Sequence, residues 1–360
     1  MIKFFDVGIS TETCNLRCHY CYITQKRKFN NSIVKFNHSK EEIRKALSRE
    51  RLGGNCMFNF CACGETLLSD ELLPIIQQLL LEGHYVMIVT NGTLTNRFTE
   101  ITQWSEELRN RLFIKFSYHF LEMKRLGLTE KFFSNVNLMK NNGVSFTVEV
   151  TPSDELIPYI DELKAVCMDN VGALCHITIA RNELTEDFRI LTSLDREEYV
   201  KTWGQFHSEF FDFKNSIFGV KRKEFCYAGV WSYSLLLDTG DLKQCVYEKT
   251  IDNIYENIDR PLKAEAVGHK CSMAHCWNGH AYLGFGVIPE MKTPTYTVMR
   301  NRICEDGTEW LTPTMKTIMD KKLVESNKEY NWFEKITNKK PLFIIAKEYI
   351  KRILKPTRKT

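Results

Sequence analysis

The sequence has no uninterrupted apolar run of 18 residues, the length at which a segment is read as a membrane-spanning helix. It also has no secretory signal at its start, because Met1–Asp6 leads into a strand-like segment without the apolar core of a signal peptide. The expected location is therefore the cytoplasm. With 360 residues, 43% of them hydrophobic, the chain is long enough to bury a substantial core.

Cysteine is not scarce: the chain has 13, which in a cytoplasmic protein favours metal or redox chemistry over a disulfide framework. Cys14, Cys18 and Cys21 follow the first strand-like segment closely, and Tyr20 precedes the third cysteine. Three thiolates can hold three irons of a [4Fe–4S] cube, whereas full ligation takes four. The fourth iron would be open to a small molecule. A zinc loop is the alternative, although zinc sites usually show C-x2-C pairs that close a set of four ligands.

This C-x3-C-x-aromatic-C pattern resembles the signature of the radical S-adenosylmethionine (SAM) enzymes. The resemblance implies that the open iron binds SAM, with Tyr20 helping to position it, and that SAM is cleaved to a 5′-deoxyadenosyl radical. The segment Cys63–Thr66 resembles the family's Gly-Gly-Glu motif, with Cys63 in place of the first glycine. The resemblance implies that Gly64, Glu65 and Thr66 contribute to SAM binding and that Asn91, after the third strand, lies near the cluster. Without it, residues 63–66 are an ordinary turn with a helix-capping threonine.

Strand-like and helix-like stretches alternate over residues 1–215, which predicts an α/β fold with a parallel sheet. The six predicted strands are Lys3–Ser10, Cys56–Cys61, Tyr85–Thr90, Leu112–Tyr118, Val144–Val150 and His176–Ala180. Six such units match the partial (β/α)6 TIM-type barrel of the radical SAM core. Active sites of parallel β/α barrels lie at the carboxyl ends of the strands, where the cysteine loop also falls.

Alternation along the predicted strands identifies the residues that face the barrel lumen. Ser117 and His119 share one face of the fourth strand, and Glu149 lies on the polar face of the fifth. We expect His119 and Glu149 to be catalytic, Glu149 as a base or an acceptor for the substrate. Ser117 matches the position at which related enzymes contact the SAM ribose, and Arg181 could pair with the SAM carboxylate. Each could instead be a partly exposed structural residue.

Residues 216–290 change character and predict a β-hairpin, Trp231–Asp238 and Leu242–Tyr247. The segment resembles the auxiliary-cluster modules called SPASM and twitch, and it predicts a small β-hairpin/helix iron–sulfur module. The resemblance implies a second, auxiliary [4Fe–4S] cluster, whose ligands would be Cys226, Cys245, Cys271 and Cys276. The alternative is a structural zinc site made by these cysteines, or by three of them with His269, His275 or His280.

The remaining residues, 291–360, form a predicted C-terminal extension. Its last forty residues contain twelve Lys and Arg against four Asp and Glu, and Leu342–Leu354 has the spacing of an amphipathic helix. That helix would dock on the barrel with a solvated basic face, or make weak contact with a membrane surface or a polyanion. No helix-turn-helix or aromatic RNA-binding pattern is present, so no nucleic-acid partner is expected.

These observations together predict a radical SAM oxidoreductase that abstracts a hydrogen atom from a substrate C–H bond. The auxiliary cluster would take part in a net oxidation, with flavodoxin or ferredoxin as the reducing partner. Because the first strand starts at residue 3, a small molecule or saccharide is favoured as substrate over a leader-bearing peptide. Peptide modification (crosslinking, epimerisation or maturase activity) is the alternative, and a non-catalytic iron–sulfur electron-transfer protein is the second.

Overall fold

The computed structural model describes residues 1–276 and 279–337, and the predicted helix Leu342–Leu354 lies outside them. Within these residues the strands belong to one sheet. They are β1 (Lys3–Ile9), β2 (Cys56–Ala62), β3 (Tyr85–Thr90), β4 (Leu112–Ser117), β5 (Ser145–Val150), β6 (His176–Ile177), β7 (Ser232–Leu236), β8 (Asp241–Lys243) and β9 (Thr250–Asn253).

The strand order in the sheet is β6-β5-β4-β3-β2-β1-β7-β8-β9. Strands β1 to β6 pair in parallel in the order of the chain, and β7 pairs in parallel with β1 on the other side. The sheet does not close, so the prediction of a partial α/β barrel is confirmed. The predicted hairpin is also present, because β8 returns antiparallel to β7. The predicted division at residue 215 stays a prediction, with β7 hydrogen-bonded into the sheet of the preceding segment.

Helices connect or follow the strands in the described residues. They are α1 (Tyr22–Lys26), α2 (Lys40–Ala46), α3 (Arg49–Leu52), α4 (Leu72–Leu81), α5 (Thr95–Thr102), α6 (Glu106–Arg109), α7 (Phe120–Leu126), α8 (Thr129–Asn141), α9 (Ile160–Val171), α10 (Arg196–Gly204), α11 (Glu209–Ile217), α12 (His280–Gly284), α13 (Tyr296–Arg300), α14 (Pro313–Met319) and α15 (Trp332–Thr337). Short 3₁₀ turns span Thr66–Leu68, Asp154–Tyr159 and Leu323–Glu325.

One of the two apolar cores of the protein lies on the inner face of the sheet, near the amino ends of the strands. Phe4, Met57 and Phe113 point into it from β1, β2 and β4. Helices α12, α13 and α14 supply the opposite side, and the ring of Tyr282 lies edge-on to that of Phe4 with centroids 5.1 Å apart. Helices α12, α13 and α14 therefore fill the lumen at the amino ends of the strands and leave the carboxyl ends of the strands open.

Candidate active site

A cavity of about 560 Å³ opens at the carboxyl ends of the parallel strands. The cysteine loop after β1, the turn after β2 and the polar faces of β4 and β5 all contribute to its wall. All twelve residues predicted for catalysis, SAM binding and the first cluster line it: Cys14, Cys18, Tyr20, Cys21, Gly64, Glu65, Thr66, Asn91, Ser117, His119, Glu149 and Arg181. The fold thus brings together residues that are up to 167 positions apart in the chain.

The three cysteines of the first loop are partly or fully buried and lie close enough to influence one another. The pKa of Cys14 is raised to about 11, mainly by burial and in smaller part by the neighbouring Glu65 and Cys21. Burial likewise raises the pKa values of Cys18 and Cys21. Thiolates at these positions therefore need a compensating positive charge, which iron would supply.

The donor set fits an iron–sulfur cube better than a single metal ion. In the part of the chain that the structure describes, no three His, Cys, Asp or Glu side chains converge tightly enough for one ion. The sulfurs around a cube stand farther apart than those around one ion, because each binds a different iron. The cysteine loop supplies three thiols and no fourth, which fits a cube that keeps one iron open; Cys61 and Cys63, from the end of β2 and the turn after it, also line the cavity.

The turn after β2 is held directly against the cysteine loop. Gly64 N–H donates to the carbonyl of Thr11 at 2.5 Å, and Glu65 N–H donates to the carbonyl of Thr13 at 3.0 Å. A Cβ atom on Gly64 would lie 1.9 Å from the Thr13 carbonyl oxygen, so glycine is required by this close approach. The partial Gly-Gly-Glu motif therefore keeps the one glycine that the contact needs.

The Glu65 carboxylate is buried and joins the ends of two strands. It accepts hydrogen bonds from Leu67 N–H at 2.9 Å, Thr90 Oγ1 at 2.7 Å and Asn91 N–H at 2.8 Å. Burial raises the pKa of Glu65 in spite of these donors. A carboxylate has about four acceptor positions, so Glu65 keeps one for a ligand. Thr66 closes the same turn, since its hydroxyl accepts from Ala62 N–H at 3.1 Å.

Asn91 connects the end of β3 to the cysteine loop. Its Nδ2 donates to Asn15 Oδ1 at 2.7 Å and lies 3.9 Å from Cys14 Sγ. Its Oδ1 accepts from the backbone and the hydroxyl of Thr93 at 3.1 and 2.7 Å. The side chain therefore lies beside the expected cluster position.

Tyr20 and His119 form a pair at the mouth of the cavity, with Tyr20 OH 2.7 Å from His119 Nδ1. Burial lowers the pKa of His119 to about 4, so the ring is neutral at pH 7. A neutral imidazole has one acceptor nitrogen, so Nε2 can accept a proton in the tautomer whose Nδ1–H donates to Tyr20.

Residues 9–151 match the family model described as Radical SAM superfamily. These residues, about two fifths of the chain, correspond to a radical SAM domain. Such a domain implies a [4Fe–4S] cluster and bound SAM. A curated relative, 7-carboxy-7-deazaguanine synthase of Aquifex aeolicus (strain VF5), is 31% identical over 103 residues, which are 29% of this chain and 39% of that protein. The chain thus covers about two fifths of that relative's length.

Two solved structures resemble the chain in fold. One is Streptococcus suis SuiB bound to S-adenosylmethionine, with a TM-score of 0.49 and 14% identity, covering 72% of this chain and 65% of that one. The other is anSMEcpe with bound AdoMet and Cp18Cys peptide, with a TM-score of 0.48 and 16% identity, covering 70% and 78%. Among the described residues, no helix is long and apolar enough to cross a membrane.

Two predicted lumen residues, Glu149 and Arg181, have partners that the sequence did not indicate. Glu149 forms an ion pair with Arg300 of α13, with 2.5 Å between Oε1 and Nη1. Arg300 is fully buried, and its Nη2 lies 2.8 Å from His280 Nε2. Arg181, predicted to bind the SAM carboxylate, pairs with Glu183 at 2.9 Å. No periodicity identified Arg300 or His280, since α12 and α13 have only five residues each.

A second cavity, of about 60 Å³, lies outside the matched residues and is lined by Cys226, Cys245, Cys271 and Cys276. Burial raises the pKa of Cys226 and of Cys276 to about 12. Of the three histidines considered as zinc ligands, His275 lines this cavity, whereas His269 bonds to the Lys223 carbonyl and His280 faces Arg300.

The two cavities are neighbours. Val246 and Tyr247 line both of them and follow Cys245 directly in the chain. The four-cysteine site and the cavity of the radical SAM domain therefore share a wall.

Proposed function

We propose that the chain is a radical SAM oxidoreductase in which Cys14, Cys18 and Cys21 hold the SAM-binding cluster. The main observation in support of this proposal is that these three thiols line one cavity together with the residues proposed to position SAM. Those residues are Tyr20, Gly64, Glu65, Thr66, Asn91, Ser117 and Arg181. When bound there, the cluster supplies the electron that cleaves SAM to methionine and a 5′-deoxyadenosyl radical, which abstracts a hydrogen atom from a substrate C–H bond.

The chain's own residues would orient SAM and manage the substrate's proton. The remaining acceptor position of Glu65 suits an ammonium group, and Asn91 fixes the cysteine loop against β3. A net oxidation also releases a proton, for which we propose His119 or Glu149 as acceptor because both line the cavity.

We propose that Cys226, Cys245, Cys271 and Cys276 hold an auxiliary [4Fe–4S] cluster. All four line one small, predominantly apolar cavity, which supports a fully ligated cube. The cluster would accept the second electron of the oxidation. The wall shared through Val246 and Tyr247 supports this, because an electron acceptor has to lie near the substrate.

The polar lumen supports a small polar molecule or saccharide as substrate. Ser117, Glu149 and Thr178 present hydroxyl and carboxylate groups to the cavity. The volume of about 560 Å³ is within the range of about 300–1,000 Å³ usual for small-ligand sites, and because the cavity would also hold SAM and the first cluster, it favours a small substrate.

Anaerobic incubation of the reconstituted full chain with SAM and dithionite tests the enzymatic proposal. We expect 5′-deoxyadenosine, and we expect Cys18→Ala to abolish it. Cys56→Ala is the matched control, because Cys56 is buried at the start of β2 away from both cavities. Absence of 5′-deoxyadenosine above the no-enzyme control would contradict the proposal and leave a non-catalytic iron–sulfur protein.

Iron and sulfide analysis tests the auxiliary cluster separately. Cys245→Ala should lose about half of the iron and sulfide of the wild type, since two cubes carry equal amounts. Zinc in the wild type in place of the second half of the iron would contradict the assignment. Replacing dithionite by reduced flavodoxin or ferredoxin tests the proposed reducing partner.

A further inference from the structure

Lys115 is a buried cation without a partner in the described residues. It lies on the inner face of β4, is 5% exposed and lines the main cavity. It pairs in backbone register with Val89 and Thr147, neither of which carries a charge. None of the hydrogen bonds or ion pairs among residues 1–276 and 279–337 involves its ammonium group.

The nearby carboxylates are engaged elsewhere. Asp6 accepts from Asn59 Nδ2 at 2.7 Å and forms no ion pair with Lys115 among the described residues. Burial raises the pKa of Asp6, and Asn59 and Lys115 act against this increase. Glu149 pairs with Arg300. A buried ammonium that faces a cavity without a counter-ion is costly, and an anionic ligand would remove that cost.

Lys214 enters the same cavity from α11. It is 4% exposed, and its Nζ donates to Thr178 Oγ1 at 2.7 Å, a neutral partner. Burial, together with the neighbouring Arg181, lowers its pKa to about 7. Lys115 and Lys214 thus line the same cavity, one from β4 and the other from α11.

We infer that Lys115 and Lys214 form a subsite that binds an oxyanion of the substrate, a carboxylate or a phosphate. The inference rests on the proposed function, which makes this lumen the substrate pocket. Lys115 precedes Ser117 by two residues on β4 and lies about 7 Å deeper along the strand. Ser117 is proposed to contact SAM. The subsite therefore lies nearer than SAM to the amino ends of the strands, on the side that α12 and α13 close.

Two sources of the oxyanion are chemically equivalent, the carboxylate of SAM and that of the substrate. The probe is trifluoroacetate, followed by ¹⁹F NMR with the cluster-loaded full chain in its oxidised state, without reductant. Trifluoroethanol is the neutral probe of similar size. We expect trifluoroacetate, and not trifluoroethanol, to bind in the lumen while SAM is present at saturation. Displacement of trifluoroacetate by SAM would overturn the assignment to the substrate.

Lys115→Met and Lys214→Met should each weaken trifluoroacetate binding about tenfold or more, the effect of losing one charged hydrogen bond. Lys131→Met is the control, because Lys131 is exposed on α8. Lys115→Arg keeps the charge and should keep most of the affinity, which separates loss of the cation from a folding defect. Equal affinities in all variants would overturn the subsite. The titrations need no SAM cleavage, so this failure is distinct from an absence of 5′-deoxyadenosine.

Discussion

Replacing Lys214 with methionine should stabilise the protein, and more so at pH 7 than at pH 9. Burial is the main cause that lowers the pKa of Lys214 to about 7 from 10.5, followed by Arg181. Three smaller contributions are included in this shift: Glu149 raises the pKa of Lys214, whereas Arg300 and Lys115 lower it. The folded state therefore disfavours the proton that the unfolded chain binds readily.

The direction and the size of the change in unfolding free energy with pH follow from proton linkage. Between pH 7 and pH 10.5 the unfolded chain holds the Lys214 proton more firmly than the folded chain, so stability rises with pH across this window. At 1.36 kcal/mol per pKa unit, the cost of Lys214 is about 4 kcal/mol at pH 7 and about 2 kcal/mol at pH 9. The hydrogen bond to Thr178 offsets about 1 kcal/mol. That offset is the same at both pH values, so the variant's advantage should shrink by about 2 kcal/mol from pH 7 to pH 9.

Anaerobic urea titrations of wild type, Lys214→Met and Lys131→Met at the two pH values measure this difference. Other titrating groups are common to all three chains and cancel in the comparison. Lys131→Met should change stability by less than about 0.5 kcal/mol. An advantage of Lys214→Met that is the same at pH 7 and pH 9, or no advantage at either, would refute the reasoning that Lys214 is a buried cation kept at the expense of stability.

Three further predictions concern single contacts. Gly64→Ala should disrupt the cysteine loop through the Thr13 carbonyl, so iron content should fall by about half while the auxiliary cluster is retained; full iron loading would contradict this. Arg300→Met should cost up to about 3 kcal/mol in urea unfolding because it leaves the partly buried Glu149 unpaired, and adding Glu149→Gln should restore part of that loss. Ser39→Ala removes the capping box at α2 and should cost about 1 kcal/mol with unchanged 5′-deoxyadenosine formation.

The sheet could be predicted because its signals are local. Each strand of the barrel has its own apolar run or alternation, and turn residues separate the runs. The polar phase of β4 and β5 predicted that Ser117, His119 and Glu149 face the lumen, and all three line the cavity. Local alternation suffices here because the pleat of a strand fixes the face of each side chain.

Helix interruptions were harder to predict, because apolar spacing continues across them. The sequence spacing over Ser39–Leu52 predicts one helix, and the structure breaks it at Leu47 and Ser48. The segment Asp195–Phe213, which follows the sixth predicted strand, is divided between α10 and α11. In both cases a serine side chain, Ser48 or Ser208, caps the new helix. A serine inside an apolar pattern is ambiguous, since it is tolerated in a helix and favoured at its start.

The partners of the lumen residues were beyond sequence reasoning for a different reason. Arg300 and Glu149 are 151 positions apart, and nothing in the short helix α13 distinguishes a buried arginine from an exposed one. The pairing depends on α12 and α13 packing against the inner face of the sheet. This packing gives Glu149 a cationic partner, whereas the ammonium of Lys115 has none among the described residues, and the proposed oxyanion subsite depends on this difference.

The relation between the two cysteine sites follows from three consecutive residues. Cys245 faces the small cavity, and Val246 and Tyr247, which follow it, line both cavities. A backbone shift that moved Cys245 would therefore also move the wall of the substrate cavity. The cysteine spacing alone indicated two sets of ligands and said nothing of their separation. Their common wall is what makes an exchange of electrons between substrate and second site physically reasonable.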